Sequence, residues 1–255
     1  MLGKILASQD SLSHGASRLH RMDARIKILT AMVCLMAVSG VQGHEAGLAA
    51  LIFGLGLTRL AGLHLANVAL RLAPANIFFV GLGLVLGLTY PGPPLTAAPW
   101  LSLDGLSLAL RISLKGNALL LIFIALLCTS SVPALSQALH RLGVPRKLPL
   151  LLALTFRQLF LVAEEYHRLY RAALARGFAP SNSRHTYRTV AVLFGQTLLR
   201  ALARAERIHG AMLLRGFSGQ FHTLRPGTWG FSQAALATGL CIPPALITVL
   251  DRWPW

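Results

Sequence analysis

The chain has 255 residues, of which 55% are hydrophobic and only 13% are charged, and its mean hydropathy is +0.61. A soluble domain carries about twice that share of charge, so the composition excludes an ordinary soluble protein. The 24 Lys and Arg residues outnumber the 8 Asp and Glu residues, which gives a formal net charge of +16. In a soluble protein this balance would indicate nucleic-acid binding, but in so apolar a chain it indicates a membrane protein with positive cytoplasmic segments and no nucleic-acid partner.

The first long apolar run begins at Ile26 after a polar and mixed segment, so no cleavable secretory signal is expected. Basic residues cluster just before and within the beginning of this run, which predicts a cytoplasmic N-terminus. These residues are Arg18, Arg21, Arg25 and Lys27.

Five apolar stretches have the length, roughly 20 residues, that a helix needs to cross a bilayer. They are residues 26–43, 45–63, 73–90, 113–131 and 231–250. The first turn lacks Lys and Arg and is predicted to lie outside, whereas Arg59 and Arg71 bracket a cytoplasmic turn. Arg111 and Lys115, at the outer end of the fourth span, break this charge bias and are predicted to snorkel or to face protein.

A long basic tract follows the fourth span. Between Glu164 and Arg225 there are ten arginines and only three acids, so residues 132–230 are predicted to form one cytoplasmic-facing region. The short apolar segments 148–163 and 189–203 are interpreted as tilted or interfacial helices. The alternative, a membrane hairpin, would put the first arginine motif described below on the outer side.

The predicted fold is therefore an all-α polytopic membrane protein with about five transmembrane helices and additional cytoplasmic amphipathic helices. Its predicted regions are 1–131, with four spans, 132–230, which faces the cytoplasm, and 231–255, with the last span.

Two basic amphipathic helices, predicted over 156–178 and about 187–215, end in the same short pattern. The two endings are Ala175-Arg176-Gly177-Phe178 and Leu214-Arg215-Gly216-Phe217. Glycine suits the position just after a helix, and a preceding arginine complements the helix dipole, so a single copy indicates no more than a cap. Two copies favour a docking surface for another protein.

Charged side chains are also spaced for contacts along these helices. Glu164 and Arg168 stand four residues apart with the acid first, which predicts an ion pair. Arg200, Arg204 and Arg207 share one face of the second helix. Basic interfacial helices of this kind also bind anionic membrane lipids.

At three places the chain resembles the transmembrane coupling subunit, or T component, of energy-coupling-factor transporters, specifically the cobalt-type subunit CbiQ. The segment Met22-Asp23-Ala24-Arg25-Ile26-Lys27 resembles that family's Asp-Pro-Arg-x-Lys opening, with Ala24 in the place of proline. Ala175-Arg176-Gly177 matches the first Ala-Arg-Gly motif of the family. Leu214-Arg215-Gly216 resembles the second, with Leu214 in the place of alanine. The resemblance covers almost the full chain, and residues 200–207 are most similar to the cobalt-type branch.

The resemblance implies a non-catalytic subunit of an ATP-driven importer in the bacterial inner membrane. Its two coupling helices would dock, through Arg176 and Arg215, into grooves of two ATP-binding-cassette ATPase subunits. Phe178 and Phe217 are expected to fill apolar pockets there. The movement would pass to a CbiM-like substrate-binding membrane subunit, with or without a CbiN-like protein, and cobalt is the implied ion. Asp23, Arg25 and Lys27 are expected to anchor the first span at the cytoplasmic interface.

Other functions require motifs that the sequence lacks. There is no Gly-x-x-x-x-Gly-Lys-[Ser/Thr] loop for ATP and no HExxH pattern among the nine histidines, so neither a cofactor nor a resident metal is expected. A membrane-embedded enzyme acting on lipids or isoprenoids is the main alternative, and it would need clustered acids or a His/Asp site. A channel or carrier would need ionisable residues within the spans. Cys34, Cys128 and Cys241 lie in apolar runs and are predicted to be reduced and buried.

Overall fold

A computed structural model describes residues 22–95, 98–219 and 231–252. The helices of this part of the chain are α1 Ala24–Ser39, α2 His44–Leu60, α3 Leu65–Thr89, α4 Leu103–Leu126, α5 Val132–Arg141, α6 Lys147–Ala175, α7 Arg184–Leu214 and α8 Phe231–Arg252. Two short antiparallel strands, β1 Pro94–Leu95 and β2 Ala98–Ser102, join α3 to α4. The all-α, polytopic membrane-protein prediction is confirmed, since the strands cover only a connection between two helices.

Short polar side chains determine where three of the helices begin. Asp23 precedes α1 and accepts a hydrogen bond from Arg25 N at 3.2 Å. The hydroxyl of Ser102 accepts from Gly105 N at 3.2 Å at the beginning of α4, and that of Ser183 accepts from Thr186 N at 3.3 Å at the beginning of α7. Each of these bonds satisfies a backbone donor that the first helical turn leaves free.

The helices belong to two compact units. Residues 22–138 and 231–252 form the first unit, here called the bundle, and residues 139–219 form the second, here called the hairpin. In the bundle, α4 packs against α1, α2 and α3, and α8 packs against α1 and α2. In the hairpin, α6 packs against α7.

Small residues allow the bundle helices to approach closely. The core residues are Ala31, Cys34, Val38, Ala50, Leu57, Ala61, Ala118, Ile122, Ala125 and Leu126. A Cβ on Gly54 of α2 would lie 2.9 Å from the Leu121 Cβ of α4, and one on Gly105 would lie 2.3 Å from the carbonyl oxygen of Leu86. Close backbone approach through small residues is typical of membrane helices, which cannot rely on the hydrophobic effect to associate.

Two of the described helices, α3 and α4, are long enough and apolar enough to cross a membrane, with mean hydropathies of 1.9 and 1.7 over their best windows. Helix α8 contains a shorter apolar stretch, Ala235–Asp251. Most of α3 is exposed to its surroundings, although it is the most apolar helix. Exposed apolar surface of this kind fits contact with lipid or with another membrane subunit.

Helix lengths in the bundle differ from those predicted. Helices α1 and α2 have 16 and 17 residues, which corresponds to roughly 24–26 Å, whereas α3 and α4 have 25 and 24 residues, or roughly 36–38 Å. The predicted spans at 73–90 and 113–131 begin earlier, at Leu65 and Leu103. The predicted spans began after Arg71 and Arg111, but the backbone is helical at both residues.

Two further boundaries are corrected in the hairpin. The segments 148–163 and 189–203 are not separate short helices but parts of α6 and α7, which have 29 and 31 residues. The helix predicted from 156 begins at Lys147 instead. Basic residues interrupt the apolar runs in both helices, and they are tolerated because they lie on exposed or ion-paired faces.

Candidate functional site

The hairpin helices α6 and α7 are joined by one buried carboxylate, Glu165. Arg200 Nη1 donates to Glu165 Oε1 at 2.6 Å, Arg204 Nη2 lies 3.4 Å from Oε2, and Arg168 of the same helix also pairs with Oε2. The side chain of Glu165 is only 6% exposed. The hydrogen bonds from Arg200 and then Arg168 hold the pKa of Glu165 below its usual value, so the carboxylate is ionised at neutral pH.

Aromatic side chains pack beside this cluster. Tyr166 stacks on Phe194 of α7 with ring centroids 4.9 Å apart, and Phe156 meets Phe160 edge to face at 5.3 Å. Beyond them, Tyr170 contacts Phe178 edge to face at 6.2 Å. Rings in these arrangements stabilise a contact beyond simple area burial, so ion pairs and aromatic contacts both hold the hairpin.

Helices α6 and α7 end in the same hydrogen-bonded structure, the Schellman motif. After α6, Phe178 N donates to Ala173 O at 3.1 Å and Gly177 N donates to Leu174 O at 3.0 Å. After α7, the N–H of the corresponding phenylalanine and glycine donate to Met212 O and Leu213 O, both at 3.0 Å. The glycines have φ values of +84° and +74°, which lie in a backbone region that residues other than glycine rarely adopt.

Arginine occupies the C-cap position in both motifs. Arg176 has φ −92° and ψ 15°, and Arg215 has φ −89° and ψ 13°, so the two backbones are nearly superimposable in conformation. Both side chains are exposed, and within the described residues neither guanidinium has a hydrogen-bond or ion-pair partner. The same hydrogen bonds end α2 and α5 with Ala61 and Leu142 at the C-cap. The arginines, and not the turn geometry, distinguish the α6 and α7 ends.

The two arginines lie at opposite ends of a long element. Arg215 ends α7, and residues 176–183 connect Arg176 to its beginning. A helix of 31 residues is about 46 Å long. These two helix ends, at Arg176 and Arg215, are here called the arginine tips. Each tip presents a free planar guanidinium, which can bind a carboxylate or the carbonyls of a helix end. The tips are far enough apart to contact different proteins.

The chain is similar to known proteins over most of its length. The family of cobalt transport proteins called CbiQ matches residues 15–228, which is most of the chain. This chain belongs to the CbiQ family. It is also similar to two proteins named energy-coupling factor transporter transmembrane protein EcfT. The one from Thermosediminibacter oceani is 26% identical over 260 residues, covering 94% of this chain and 96% of that protein. The one from Acidaminococcus fermentans is 24% identical over 257 residues and covers 94% of each chain.

The phenylalanines predicted to be anchors differ from each other in this CbiQ-family chain. Phe178 is buried, at 9% exposure, and packs against Tyr170 of its own helix, so in this conformation it is not available to fill a pocket elsewhere. Phe217 is half-buried. Leu214, one residue before Arg215, is instead 92% exposed, whereas Ala175 at the first tip presents only a methyl group.

The N-terminal residues predicted to anchor the first span are more deeply placed than expected. Lys27 is 1% exposed, and its Nζ donates to Ser130 Oγ at 2.9 Å and approaches Thr129 Oγ1 at 3.5 Å. Asp23 caps α1, and Arg25 is half-buried beside it. Lys27 therefore joins α1 to the residues that follow α4, which differs from an interfacial side chain that reaches toward water.

Several contacts were not found from the sequence. The prediction of an ion pair between Glu164 and Arg168 is wrong, because Glu164 is exposed and Arg168 binds Glu165 instead. Two acids stand side by side there, and spacing on one helix could not show which of them faces α7. Asp251 of α8 accepts from Gln42 N at 2.7 Å and Gly43 N at 3.0 Å, a contact between distant parts of the chain that no local pattern indicates.

All three cysteines are free in the structure; Cys34 is buried as predicted, whereas Cys128 and Cys241 are only half-buried. Within the residues that the structure describes, no group of three or more His, Cys, Asp or Glu side chains is placed to hold a metal ion.

Proposed function

We propose that this protein is the non-catalytic transmembrane coupling subunit of an ATP-driven importer of the energy-coupling-factor type, with cobalt as the transported ion. The observation that carries the proposal is the pair of exposed C-cap arginines, Arg176 and Arg215, at two widely separated helix ends. The family match and the names of the two EcfT relatives support the transporter class. No observation on the described residues favours the lipid-modifying enzyme.

Each arginine tip would dock into a groove of a separate ATP-binding-cassette ATPase. Arg176 with Ala175 and Gly177 forms a small, polar tip that can enter deeply. Arg215 with Leu214 and Gly216 forms a tip that adds an apolar side chain. Guanidinium groups bind groove carboxylates in a planar fork, and desolvation at the centre of an interface strengthens such contacts.

ATP-driven closure of the two ATPases would change the separation of the grooves and so move the two tips. The Glu165 cluster joins α6 to α7, so a force on either tip acts on both helices. The movement would reach a CbiM-like membrane subunit that holds the ion, with or without a CbiN-like protein, and that subunit would respond through contacts that differ between the two states.

The charge distribution supports one orientation in the membrane. Residues 132–230 and the N-terminus would face the cytoplasm, where the ATPases are, and residues 90–105 would lie outside. Asp23, Arg25 and Lys27 would have a structural role at the cytoplasmic end of the bundle, with Lys27 binding the residues that lead into α5.

The test is to measure assembly and transport after removal of the arginines. ATPase pull-down and ATP-dependent cobalt uptake would be measured for Arg176→Ala, Arg215→Ala and the double variant. Loss of one desolvated interface arginine is expected to cost about 2–5 kcal/mol, and about 1.4 kcal/mol is a tenfold loss of affinity. The two losses should add, because the sites are far apart. Lysine at either position should restore binding only in part, because an ammonium group lacks the planar fork.

Arg184→Ala is the matched control, because Arg184 is an exposed arginine at the N-terminus of α7 that belongs to neither C-cap motif. It should leave assembly and uptake unchanged. The purified chain without its partners should not hydrolyse ATP. Wild-type assembly and uptake by the double variant would show that the arginines are only helix caps and would overturn the proposal.

A further inference from the structure

A cavity of about 260 Å³ lies in the bundle between the α1–α2 turn and the side of α4. Its lining includes Gln42 and Gly43 of the turn, together with Leu108, Arg111 and Lys115 of α4. The charged side chains in this lining are the two cations of α4, which stand four residues apart on one face of the helix. The cavity therefore carries a local charge of +2 and no negative lining residue.

Hydrogen bonding leaves this cavity rich in donors. Arg111 Nε donates to His44 Nε2 at 2.8 Å, and the buried Nδ1 of His44 has no partner among the described residues. Lys115 Nζ donates to Val41 O at 3.3 Å. Both cations use one N–H in these contacts and keep further donors, so the site is suited to an anion with several oxygen acceptors.

Within the described residues, the two acids near this turn form no ion pair with Arg111 or Lys115. Both carboxylate oxygens of Asp251 are used by backbone N–H groups, Gln42 N and Gly43 N. Glu45, in the first turn of α2, is exposed. Helix α2 begins at this turn without a side-chain cap, and its N-terminal dipole adds to the positive potential.

The depth of the site identifies the source of the anion. Lys115 is the thirteenth residue of α4 and so lies about 18 Å along that helix, yet it contacts Val41 in the turn between α1 and α2. Helices α1 and α2 are shorter than the roughly 30 Å of a bilayer's hydrocarbon core. Where spanning helices are short, the surrounding bilayer becomes thinner and the lipid headgroups lie near the helix ends. Beside α1 and α2, the headgroups would therefore lie at the level of Arg111 and Lys115.

The helices that border the charged site also carry exposed apolar side chains. Leu108 and Ile112 line the cavity, and Leu48 and Ile52 on α2 are exposed at 49% and 66%. An amphiphile can therefore place its charged group in the cavity and its hydrocarbon chains along α2. A free inorganic anion would make no use of this apolar surface.

We propose that Arg111 and Lys115 bind the phosphate of an anionic phospholipid headgroup beside the turn between α1 and α2, where these helices end and the longer α4 continues. This site lies in the bundle and does not depend on the proposed role of the arginine tips. The bound lipid fills the space left beside the short helices α1 and α2 and provides the ion-pair partner that the two cations lack among the described residues.

The test uses the full chain in detergent, titrated with phosphatidylglycerol, phosphatidylcholine or inorganic phosphate, with thermal unfolding and retained lipid by native mass spectrometry as readouts. Phosphatidylglycerol should stabilise the wild type saturably. Phosphatidylcholine should act weakly, because its choline repels the two cations. Arg111→Gln and Lys115→Gln should each weaken the apparent affinity by about tenfold, the loss expected for one charge-assisted contact, and the double variant should lose the preference for the anionic lipid.

Two comparisons make the result decisive. Arg59→Gln removes the same charge from an exposed site in the last turn of α2 and should keep the preference. If the neutral double variant does not fold, the charge-exchanged variant with Arg111→Lys and Lys115→Arg serves in its place and should keep the preference. Equal losses with Arg59→Gln, loss of the preference in the folded charge-exchanged variant, or equal stabilisation by inorganic phosphate would each overturn the assignment.

Discussion

At the scale of single residues, the two helix ends combine a fixed backbone with a free side chain. Glycine in the left-handed region turns the chain away from the helix, and the arginine before it is held at one backbone conformation while its guanidinium remains exposed. A positive charge is favourable at a helix C-terminus. The backbone of the arginine is therefore already ordered in the free protein, and only its side chain loses freedom when it binds a partner.

Replacing these glycines tests whether the backbone matters as well as the charge. Gly177→Ala and Gly216→Ala should each destabilise the helix end by about 1–2 kcal/mol, because alanine disfavours positive φ. Neither new Cβ would meet an atom within 4 Å, so the cost comes from conformation and not from a clash. Thermal unfolding and ATPase pull-down would both be measured, and both should decrease.

Gly210→Ala is the matched control for this prediction. Gly210 lies inside α7, a Cβ there also meets nothing within 4 Å, and its φ is not positive. Alanine at this position should stabilise the helix by up to about 1 kcal/mol. If Gly177→Ala and Gly216→Ala behave like Gly210→Ala, the left-handed turn does not position the arginines.

At the scale of secondary-structure elements, Glu165 is the contact on which the α6–α7 pairing depends. Its ionised form is favoured in the folded hairpin, so its pKa is lowered. The resulting stability is fully present above the ordinary glutamate pKa of about 4.3 and is lost as the pH falls through the lowered, folded value. The hairpin should therefore be insensitive to pH near neutrality and should weaken in acid.

Glu165→Gln should remove this acid sensitivity and lower stability at neutral pH, because the three arginines lose their carboxylate. Amide hydrogen exchange of α6 and α7 at neutral and acid pH would measure the effect. Glu164→Gln removes an exposed neighbouring charge and should behave as the wild type. Equal protection of α6 and α7 in Glu165→Gln and Glu164→Gln would mean that the aromatic contacts, and not the carboxylate, hold the helices together.

At the scale of the whole molecule, the orientation in the membrane is open to direct measurement. With the three native cysteines replaced, Trp100→Cys should be labelled by an impermeant reagent from outside the cell, because Trp100 is 70% exposed in the segment predicted to lie outside. Ala179→Cys, in the exposed turn between α6 and α7, should be labelled only after permeabilisation. Labelling of position 179 from outside would reverse the orientation and separate the arginine tips from any cytoplasmic ATPase.

The sequence predicted the helical class and the positions of both arginine tips, because glycine after an amphipathic run is a strong and local stop signal. Contacts between distant residues were beyond local patterns. Phe178 illustrates the difference: its position after the glycine was clear, but only the fold shows that its ring packs on Tyr170. A hydrophobic contact between the residue after the glycine and the preceding helix often accompanies the Schellman motif, so packing of Phe178 on α6 has a physical basis.

Helix boundaries were the least predictable part of the bundle. Arg71 and Arg111 led the prediction to begin two spans too late, because charge was taken as the end of the membrane segment. In the structure Arg111 binds His44 and Lys115 binds the carbonyl of Val41. Both partners lie at the turn between α1 and α2. A charge inside a long helix is acceptable when a shorter neighbour ends beside it, and the relative lengths of neighbours are not a local property.

The contact between Asp251 and the α1–α2 turn has a consequence for how the chain is made. Its partners are separated by 208 and 209 residues, and α1 also packs on α8. Synthesis at about 5–20 residues per second adds the intervening residues in roughly 10–40 s. During that interval α1 and α2 have been made but the carboxylate of Asp251 has not. The partner of Lys27, Ser130, is made after about half that time. Until α8 has been made, α1 and the α1–α2 turn therefore lack the contacts that α8 provides in the complete bundle. In that state the nascent bundle is more open to proteases and chaperones.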